Sequence, residues 1–172
     1  PNKALRLIVP FPAGGGTDIL ARSYAQALSD ALKQPVVVDN RPGAGGNVAM
    51  DLVAKAPADG YTIGFGAIGP LAINVTLFRK MAYDPLKDLA PVTLFGTTPN
   101  IIATSPTGEL KTLKDVIDKA RARGPGALTY ASGGNGTTQH LGGEMINAAA
   151  GIKIPHVPWN GDGAAIAAVM GK

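Results

Sequence analysis

The segment VPFPAGGGTDILARSYAQAL (residues 9–28) joins an apolar run to a helical pattern through three consecutive glycines. Apolar residues at helical spacing after the glycines predict a helix that begins at Thr17 or Asp18. A glycine-rich turn before a helix presents unpaired backbone N–H groups at the positive end of the helix dipole. The segment therefore predicts an anion-binding turn, for a nucleotide phosphate or for a smaller anion.

Strands, glycine-rich turns and helices are predicted to alternate along the rest of the chain. After a strand at 4–10 and the helix above, the first half continues with a strand at 35–40, a helix at 47–56, a turn and a strand within 58–66, and extended segments at 89–96 and 100–105. The second half is predicted to contain a helix at 112–124, a strand at 127–132, a helix at 139–151, a strand at 152–159 and the start of a helix at 162–172. This alternation is typical of parallel α/β units. We predict an α/β protein of two lobes, residues 1–103 and 104–172.

Two glycine turns share one layout, in LIVPFPAGGGTDILA and in LTYASGGNGTTQHLG. We call residues 11–16 the first glycine turn and residues 133–138 the second glycine turn. Thr17 and Thr137 are predicted to cap the helices that follow. Ligands of open parallel sheets bind at the carboxyl ends of strands, where both turns are predicted to lie. If the lobes face each other, the two turns meet across one cleft.

Composition excludes several classes of function. The 172 residues carry a net charge of +4 from scattered Lys and Arg, and aromatic residues make up only 5%. Base-stacking platforms for nucleic acid need more aromatic side chains than this, so a nucleic-acid partner is not expected. The chain contains no cysteine, which excludes disulfides and thiolate catalysis. The first residue is Pro1, as in a mature protein whose signal peptide has been removed.

A nucleotide-dependent oxidoreductase is the alternative that the first glycine turn raises. Gly14 and Gly16 fit the first two positions of the dinucleotide fingerprint, but Ile19 stands where the third small residue is needed. Asp39, at the end of the second strand, lies at a suitable spacing for a ribose hydroxyl. The P-loop is excluded because neither turn is followed by its lysine.

Catalysis by a serine or a metal finds weaker support. YASGG (residues 130–134) approaches a nucleophile elbow, which makes a hydrolase using Ser132 a further alternative, with His140 eight residues on. His140 and Glu144 are two potential metal ligands on one helix face, but no third is evident, so a hydrogen bond between them is favoured. His156 is expected to pack or to line a cleft. No metal site and no cofactor are predicted.

Five motifs in order carry a family resemblance: VPFPAGGGTDILAR, VVVDNRPGAGGNVA, ADGYTIGFG, LAPVTLFG, and YASGGNGTTQHLGGEM with GIKIPHVPW. Over essentially its whole length the chain resembles the periplasmic substrate receptors of tripartite tricarboxylate transporters, the Bug or TctC type. The resemblance implies two α/β lobes hinged like a type II periplasmic binding protein. It also implies a transport function without catalysis: a periplasmic receptor that captures a small carboxylate and delivers it to a membrane permease.

The resemblance implies a ligand carboxylate held by backbone amides of both glycine turns. The residues that it assigns to the site are Phe11, Pro12, Ala13, Gly14, Gly15, Thr17 and Asp18 in the first lobe, Gly66, Ala67, Ile68 and Asn74 at the far end of the ligand, and Ser132, Gly133, Gly134, Asn135, Gly136, Thr137, Thr138 and His140 in the second lobe. Family members often carry hydroxyl residues where this chain has Ala67–Pro70. That difference favours an apolar or aromatic acid over one with a second carboxylate.

Receptors of this type are longer than 172 residues. The resemblance therefore implies that the second lobe is incomplete in this chain. Exposed sheet edges and bare apolar helix faces would follow, and with them self-association.

Overall fold

The computed structural model describes residues 1–171 of the chain. They divide into two compact units, Pro1–Thr93 and Leu94–Lys172, which are considered separately below. The division falls ten residues before the boundary predicted from the sequence, between residues 103 and 104. The predicted helix end at Lys172 lies outside the described residues. In the described part of the chain, no helix combines the length and the apolar character that crossing a bilayer requires.

The first unit is built on a three-stranded parallel sheet. Its elements are β1 (Leu5–Val9), α1 (Gly16–Leu32), β2 (Val36–Asn40), α2 (Asn47–Ala54), β3 (Thr62–Gly64) and the short α3 (Asn74–Leu77). The strand order is β2-β1-β3, with Leu5 paired to Val36 and Arg6 to Thr62. The predicted parallel α/β unit is therefore confirmed, with every strand within a few residues of its predicted position.

The core of the first unit surrounds the central strand. Four of the five β1 residues are buried, as expected for a strand with neighbours on both sides. Ile8 packs with Ala49 and Met50 of α2 and with Tyr83. On α1 the buried apolar residues are the small ones, Ala21 and Ala25, whereas Ile19 and Leu20 are exposed. Small side chains at the contact allow the helix backbone to approach the sheet closely.

The second unit contains a two-stranded parallel sheet. Its elements are α4 (Leu113–Arg123), β4 (Tyr130–Ser132), α5 (Thr138–Ala150), β5 (His156–Pro158) and α6 (Asp162–Met170). Tyr130 pairs with His156 in register. Thr112 begins α4 with a capping box that includes Asp115. Among residues 1–171 the buried apolar side chains of this unit are few and mostly small: Ala120, Ile154 and Ala165.

The extended segments predicted at 89–96 and 100–105 form no strand in the described part of the chain. Their apolar side chains are exposed: Val92, Leu94 and Ile101 each keep at least 80% of their surface open. A strand needs a partner for its backbone N–H and C=O groups, and no described strand pairs with these residues. The apolar pattern predicted extended segments, and within residues 1–171 these segments are not paired into a sheet.

Candidate functional site

Three loops meet at the carboxyl edge of the first unit's sheet. Because the strands are parallel, the segments that follow β1, β2 and β3 leave the sheet on the same side. These are the first glycine turn, the loop at 41–46 and the segment at 66–74. Hydrogen bonds tie the strand ends together: the N–H groups of Arg41 and Phe65 donate to the carbonyls of Val9 and Ile8, both at 2.8 Å. The first-lobe candidate residues therefore lie along one edge.

Asp18, in the first turn of α1, fixes the first glycine turn through hydrogen bonds. Its carboxylate is 2% exposed and accepts hydrogen bonds from the Gly14 N–H at 2.8 Å, Arg22 Nε at 2.9 Å and Asn40 Nδ2 at 2.9 Å. The Arg22 hydrogen bond is the largest cause that lowers the pKa of Asp18 to about 2, although burial opposes it. Asn40 Nδ2 also donates to the Phe11 carbonyl at 2.9 Å. The side chain of Asp18 is thus fully engaged within the protein.

The N-terminus of α1 leaves backbone donors unused. Gly15, not Thr17, is the N-cap residue, and no side chain caps the helix. The predicted cap at Thr17 is wrong because the helix begins at Gly16, which places Thr17 inside the first turn. The N–H groups of Gly15, Gly16 and Thr17 donate to no acceptor within residues 1–171. These donors remain available to an anion.

The segment at 66–74 combines an apolar surface with a buried amide. Ile68 is 57% exposed and Ala67 is half-buried. Asn74, in contrast, is fully buried, and its Nδ2 donates to Asn47 Oδ1 at 2.8 Å. Its Oδ1 has no partner among the described residues. The structure therefore places Asn74 beneath the segment rather than on its surface.

Ser132 supports the second glycine turn from the end of β4. The side chain is 2% exposed, and its Oγ accepts the Gly134 N–H at 3.1 Å and lies 3.2 Å from the Gly134 carbonyl oxygen. The same Oγ lies 2.6 Å from His156 Nε2. The sequence had raised His140, not His156, as the base for Ser132. His156 was missed because β4 and β5 are far apart in sequence, and only their parallel pairing brings the two residues together.

Thr137 caps α5 as predicted, because its side chain accepts the His140 N–H. His140 in turn accepts the Gly136 N–H at Nδ1, 3.2 Å away. Thr138 Oγ1 donates to Asn100 Oδ1 at 3.1 Å. Asn135 is exposed, and its N–H donates to no other described residue. The second glycine turn therefore also combines restrained and unused amides.

Gly133 lies too close to α6 for any side chain. A Cβ at this position would stand 2.3 Å from Asp162 Oδ1. Asp162 also accepts a hydrogen bond from Gln139 Nε2 at 3.2 Å, and burial raises the pKa of its carboxyl. The turn is thereby packed between β4 and the start of α6.

The two glycine turns are built alike in their backbone. Gly14 and Gly136 have φ values of 82° and 79°, a conformation that favours glycine. The following residues, Gly15 and Thr137, are N-caps with nearly the same angles, φ −79° and −81°. In each turn the glycine N–H donates to a side chain four residues later, Asp18 or His140. The sequence repeat is therefore a structural repeat.

Tyr130, His156 and His140 form a stack beside the second glycine turn. The ring centroids of Tyr130 and His156 are 4.9 Å apart, and those of His156 and His140 are 4.2 Å apart. The Tyr130 hydroxyl donates to Glu144 Oε1 at 2.7 Å. No hydrogen bond joins His140 to Glu144 within residues 1–171, so the predicted hydrogen bond between these two side chains is wrong. The Glu144 carboxylate accepts the Tyr130 hydroxyl instead. No cluster of three metal-binding side chains occurs in the same residues.

Asp39 does not present a free carboxylate at the end of β2. It accepts hydrogen bonds from Arg6 Nε at 2.7 Å and pairs with Arg41 Nε at 2.8 Å. Burial opposes ionisation, but the Arg41 and Arg6 hydrogen bonds outweigh it and lower the pKa of the Asp39 carboxyl. Both oxygens bind guanidinium groups, so a ribose hydroxyl would have to compete with Arg6 and Arg41 for this carboxylate.

Residues 20–172 match the protein family described as "TctC: Tripartite tricarboxylate transporter family receptor". Protein BugT of Bordetella pertussis is 40% identical over 172 residues, which are 99% of this chain and 52% of that protein. Among solved structures, R. palustris Rpa4515 with adipate has a TM-score of 0.94 at 38% identity and covers 98% of this chain. MatC from Rhodopseudomonas palustris with bound malate has a TM-score of 0.90 at 31% identity, also over 98%.

The periplasmic binding protein BugD has a TM-score of 0.83 at 26% identity over 99% of this chain. These similarities confirm the predicted α/β architecture of the periplasmic-binding-protein type. The chain spans about half the length of the curated relatives it matches, and 56% of the Rpa4515 and BugD chains and 57% of the MatC chain.

Proposed function

Because the chain belongs to the tripartite tricarboxylate transporter receptor family, we propose that it captures a small organic carboxylate through backbone amides of its two glycine turns. Members of this family are receptors, not enzymes. We further propose that the receptor works in the periplasm and delivers the carboxylate to the permease subunits of a tripartite transporter. The BugD similarity supports the periplasmic location.

The observation that carries this proposal is the repeated build of the two turns. In each turn a side chain four residues on takes up one glycine N–H, while neighbouring amides have no acceptor among the described residues. Amides that are fixed in direction and lack a partner bind an anion without first giving up another hydrogen bond. The first turn is held by the buried carboxylate of Asp18 and is not followed by a lysine, which favours a small anion over a polyphosphate.

Carboxylates of the size of adipate and malate are the first ligands to test, because the similar proteins Rpa4515 and MatC were solved with them. Charge-assisted hydrogen bonds contribute roughly 1.5–3 kcal/mol each, so four or five suffice for micromolar binding before ordering costs. The experiment is a thermal-shift and calorimetric screen of mono-, di- and tricarboxylates, with NAD and NADP included for the oxidoreductase alternative. Binding of a nucleotide but of no carboxylate would contradict the proposal.

A glycine variant tests the use of the first turn. Gly15→Leu is sterically permitted, since the position has φ −79° and its nearest contact is the Pro12 carbonyl at 3.5 Å. A side chain there covers the unused amides, and we expect carboxylate affinity to fall by at least about tenfold. Gly163→Leu is the matched control, because Gly163 also lies at a helix start in open space. Equal affinity in the two variants would remove the first turn from the site.

A further inference from the structure

We propose that His140 is a positioning residue that holds the second glycine turn in its ligand-binding conformation, and that protonation of its imidazole releases the turn. The proposal rests on the proposed function for its effect on ligand affinity. The hydrogen bond itself, from the Gly136 N–H to His140 Nδ1, is a feature of the chain alone.

The hydrogen bond fixes the protonation state of the ring. Nδ1 accepts the Gly136 N–H at 3.2 Å, so it carries no proton and the ring is neutral with its hydrogen on Nε2. A protonated imidazole has N–H groups at both positions and offers no acceptor. Gly136 is buried, and its backbone has φ 79°, so its N–H cannot turn easily to another acceptor. Protonation therefore breaks this contact.

The first glycine turn shows the same contact with a different acceptor. There the Gly14 N–H donates to Asp18, whose carboxyl pKa is lowered to about 2. A carboxylate with that pKa remains an acceptor throughout the pH range in which an imidazole titrates, about pH 5 to 8. The two turns are alike in geometry but differ in the proton affinity of the side chain that holds them. Only the second turn is expected to respond to mild acid.

Titratable side chains from β4, β5, α5 and α6 surround His140. His156 of β5 stacks on its ring, Tyr130 of β4 stacks on His156, and Glu144 lies on the same helix. From α6, Asp162 contacts the neighbouring Gln139. Burial, and then the charge of His140, lower the pKa of His156, while Glu144 acts to raise it. Two imidazoles at 4.2 Å do not readily carry two positive charges at once, so the stack disfavours charging both rings.

The sign of the pH effect follows from this arrangement. The held turn requires a neutral His140, whereas the released turn tolerates a cationic one, so release takes up a proton. Acid therefore favours the released turn. Ligand affinity is expected to decrease on acidification, although a nearby cation alone would increase affinity for an anion. Release of the turn and simple attraction by a cationic imidazole therefore predict opposite changes in affinity on acidification.

The direct test is NMR on the 172-residue chain without ligand. Long-range ¹H–¹⁵N spectra are expected to show His140 with its proton on Nε2 near neutral pH. On acidification from about pH 8 to about pH 5.5 the Gly136 amide is expected to lose about fivefold to tenfold in hydrogen-exchange protection. The Gly14 amide is the internal control and is expected not to change. A Gly136 amide whose protection does not change over this pH range would overturn the proposal.

The variants His140→Asn and His156→Gln distinguish the contributions of the two histidines to the pH dependence. Asn carries a neutral acceptor at the same δ position, so His140→Asn is expected to keep the Gly136 amide protected and to abolish its pH dependence. His156→Gln is expected to retain the pH dependence; if it is His156→Gln that abolishes it, His140 is not the responsible group. With adipate as the probe, wild-type affinity is expected to fall about fivefold over the same pH range, and that of His140→Asn less than twofold. If adipate and all other carboxylates fail to bind at any pH, the proposed function fails, while the NMR result still decides the role of His140.

Discussion

Ser132 Oγ lies 2.6 Å from His156 Nε2, the distance expected between a nucleophile and its general base. Ser132 is nevertheless only 2% exposed, and its Oγ is also bonded to the backbone of Gly134. No carboxylate of residues 1–171 hydrogen-bonds His156; the ring lies instead between Tyr130 and His140. A pair without an orienting acid and without access to substrate positions a turn rather than attacking a carbonyl.

We therefore expect a serine-directed phosphonate to leave Ser132 unlabelled. Ser132→Ala is expected to lower the free energy of unfolding by about 1–3 kcal/mol, because the Gly134 N–H loses a buried acceptor. Urea unfolding measures this change, and Ser23→Ala on the exposed face of α1 is the control, expected within about 0.5 kcal/mol of the wild type. Covalent labelling of Ser132, seen by mass spectrometry, would restore the hydrolase alternative.

Acid stability tests the role of Asp18. Its pKa is lowered to about 2, with the Arg22 hydrogen bond as the largest cause, so the ionised form is favoured by folding. The resulting stability is present above the unfolded pKa near 3.8 and is lost as the pH falls towards about 2. Asp18→Asn is expected to cost about 1–3 kcal/mol near neutral pH and to flatten this part of the profile. Asp30→Asn, on the exposed face of the same helix, is the control; an equal effect of both variants would contradict the assignment.

Substitution of two adjacent glycines of α5 by alanine is expected to have opposite effects on stability. A Cβ at Gly143 would lie 2.3 Å from the Tyr130 ring, whereas the nearest atom to one at Gly142 is 3.8 Å away. Gly143→Ala is expected to destabilise by about 1–3 kcal/mol because it displaces the stacked ring. Gly142→Ala is expected to be neutral or to stabilise by up to about 1 kcal/mol through helix propensity. Thermal unfolding of both variants checks this, and the reverse order would mean that Tyr130 does not pack on Gly143.

Ligand selectivity tests the segment at 66–74. Its exposed surface includes Ile68 and offers no hydroxyl between residues 67 and 70. A second buried carboxylate would lack donors there, so hexanoate is expected to bind at least as tightly as adipate, which has the same number of carbons. Ile68→Arg is expected to shift the preference towards adipate, with Val75→Arg as a control at a similarly exposed position. Calorimetry that finds adipate much tighter in the wild type would contradict the prediction.

Exposed apolar side chains predict self-association. Leu86, Val92, Leu94 and Ile101 are among the most exposed, each at 80% or more. Such side chains cluster readily with those of a second copy. Light scattering is expected to show species larger than the 17.5 kDa chain, and Leu94→Ser combined with Ile101→Ser to reduce them. A monodisperse monomer across the concentration series would refute this expectation.

Local signals in the sequence were enough to predict the order of the helices and strands. Apolar runs, glycines and helical periodicity act over a few residues, so they located β1, α1 and the second glycine turn to within a few positions. The same signals gave a wrong N-cap for α1. Several residues near a helix start can serve as its N-cap, and in the structure the N-cap is Gly15 rather than Thr17. At 89–96 and 100–105 the same signals predicted extended segments, and no described strand pairs with these residues.

The sequence by itself determined the α/β order of the elements and the positions of the two glycine turns. Tertiary structure alone decided the long-range contacts that support those turns. Asp18 meets Asn40, 22 positions away, because β2 pairs beside β1. Ser132 meets His156, 24 positions away, because β5 pairs beside β4. Such contacts depend on how strands are paired in space, and no periodicity along the chain encodes the distance between two atoms on neighbouring strands.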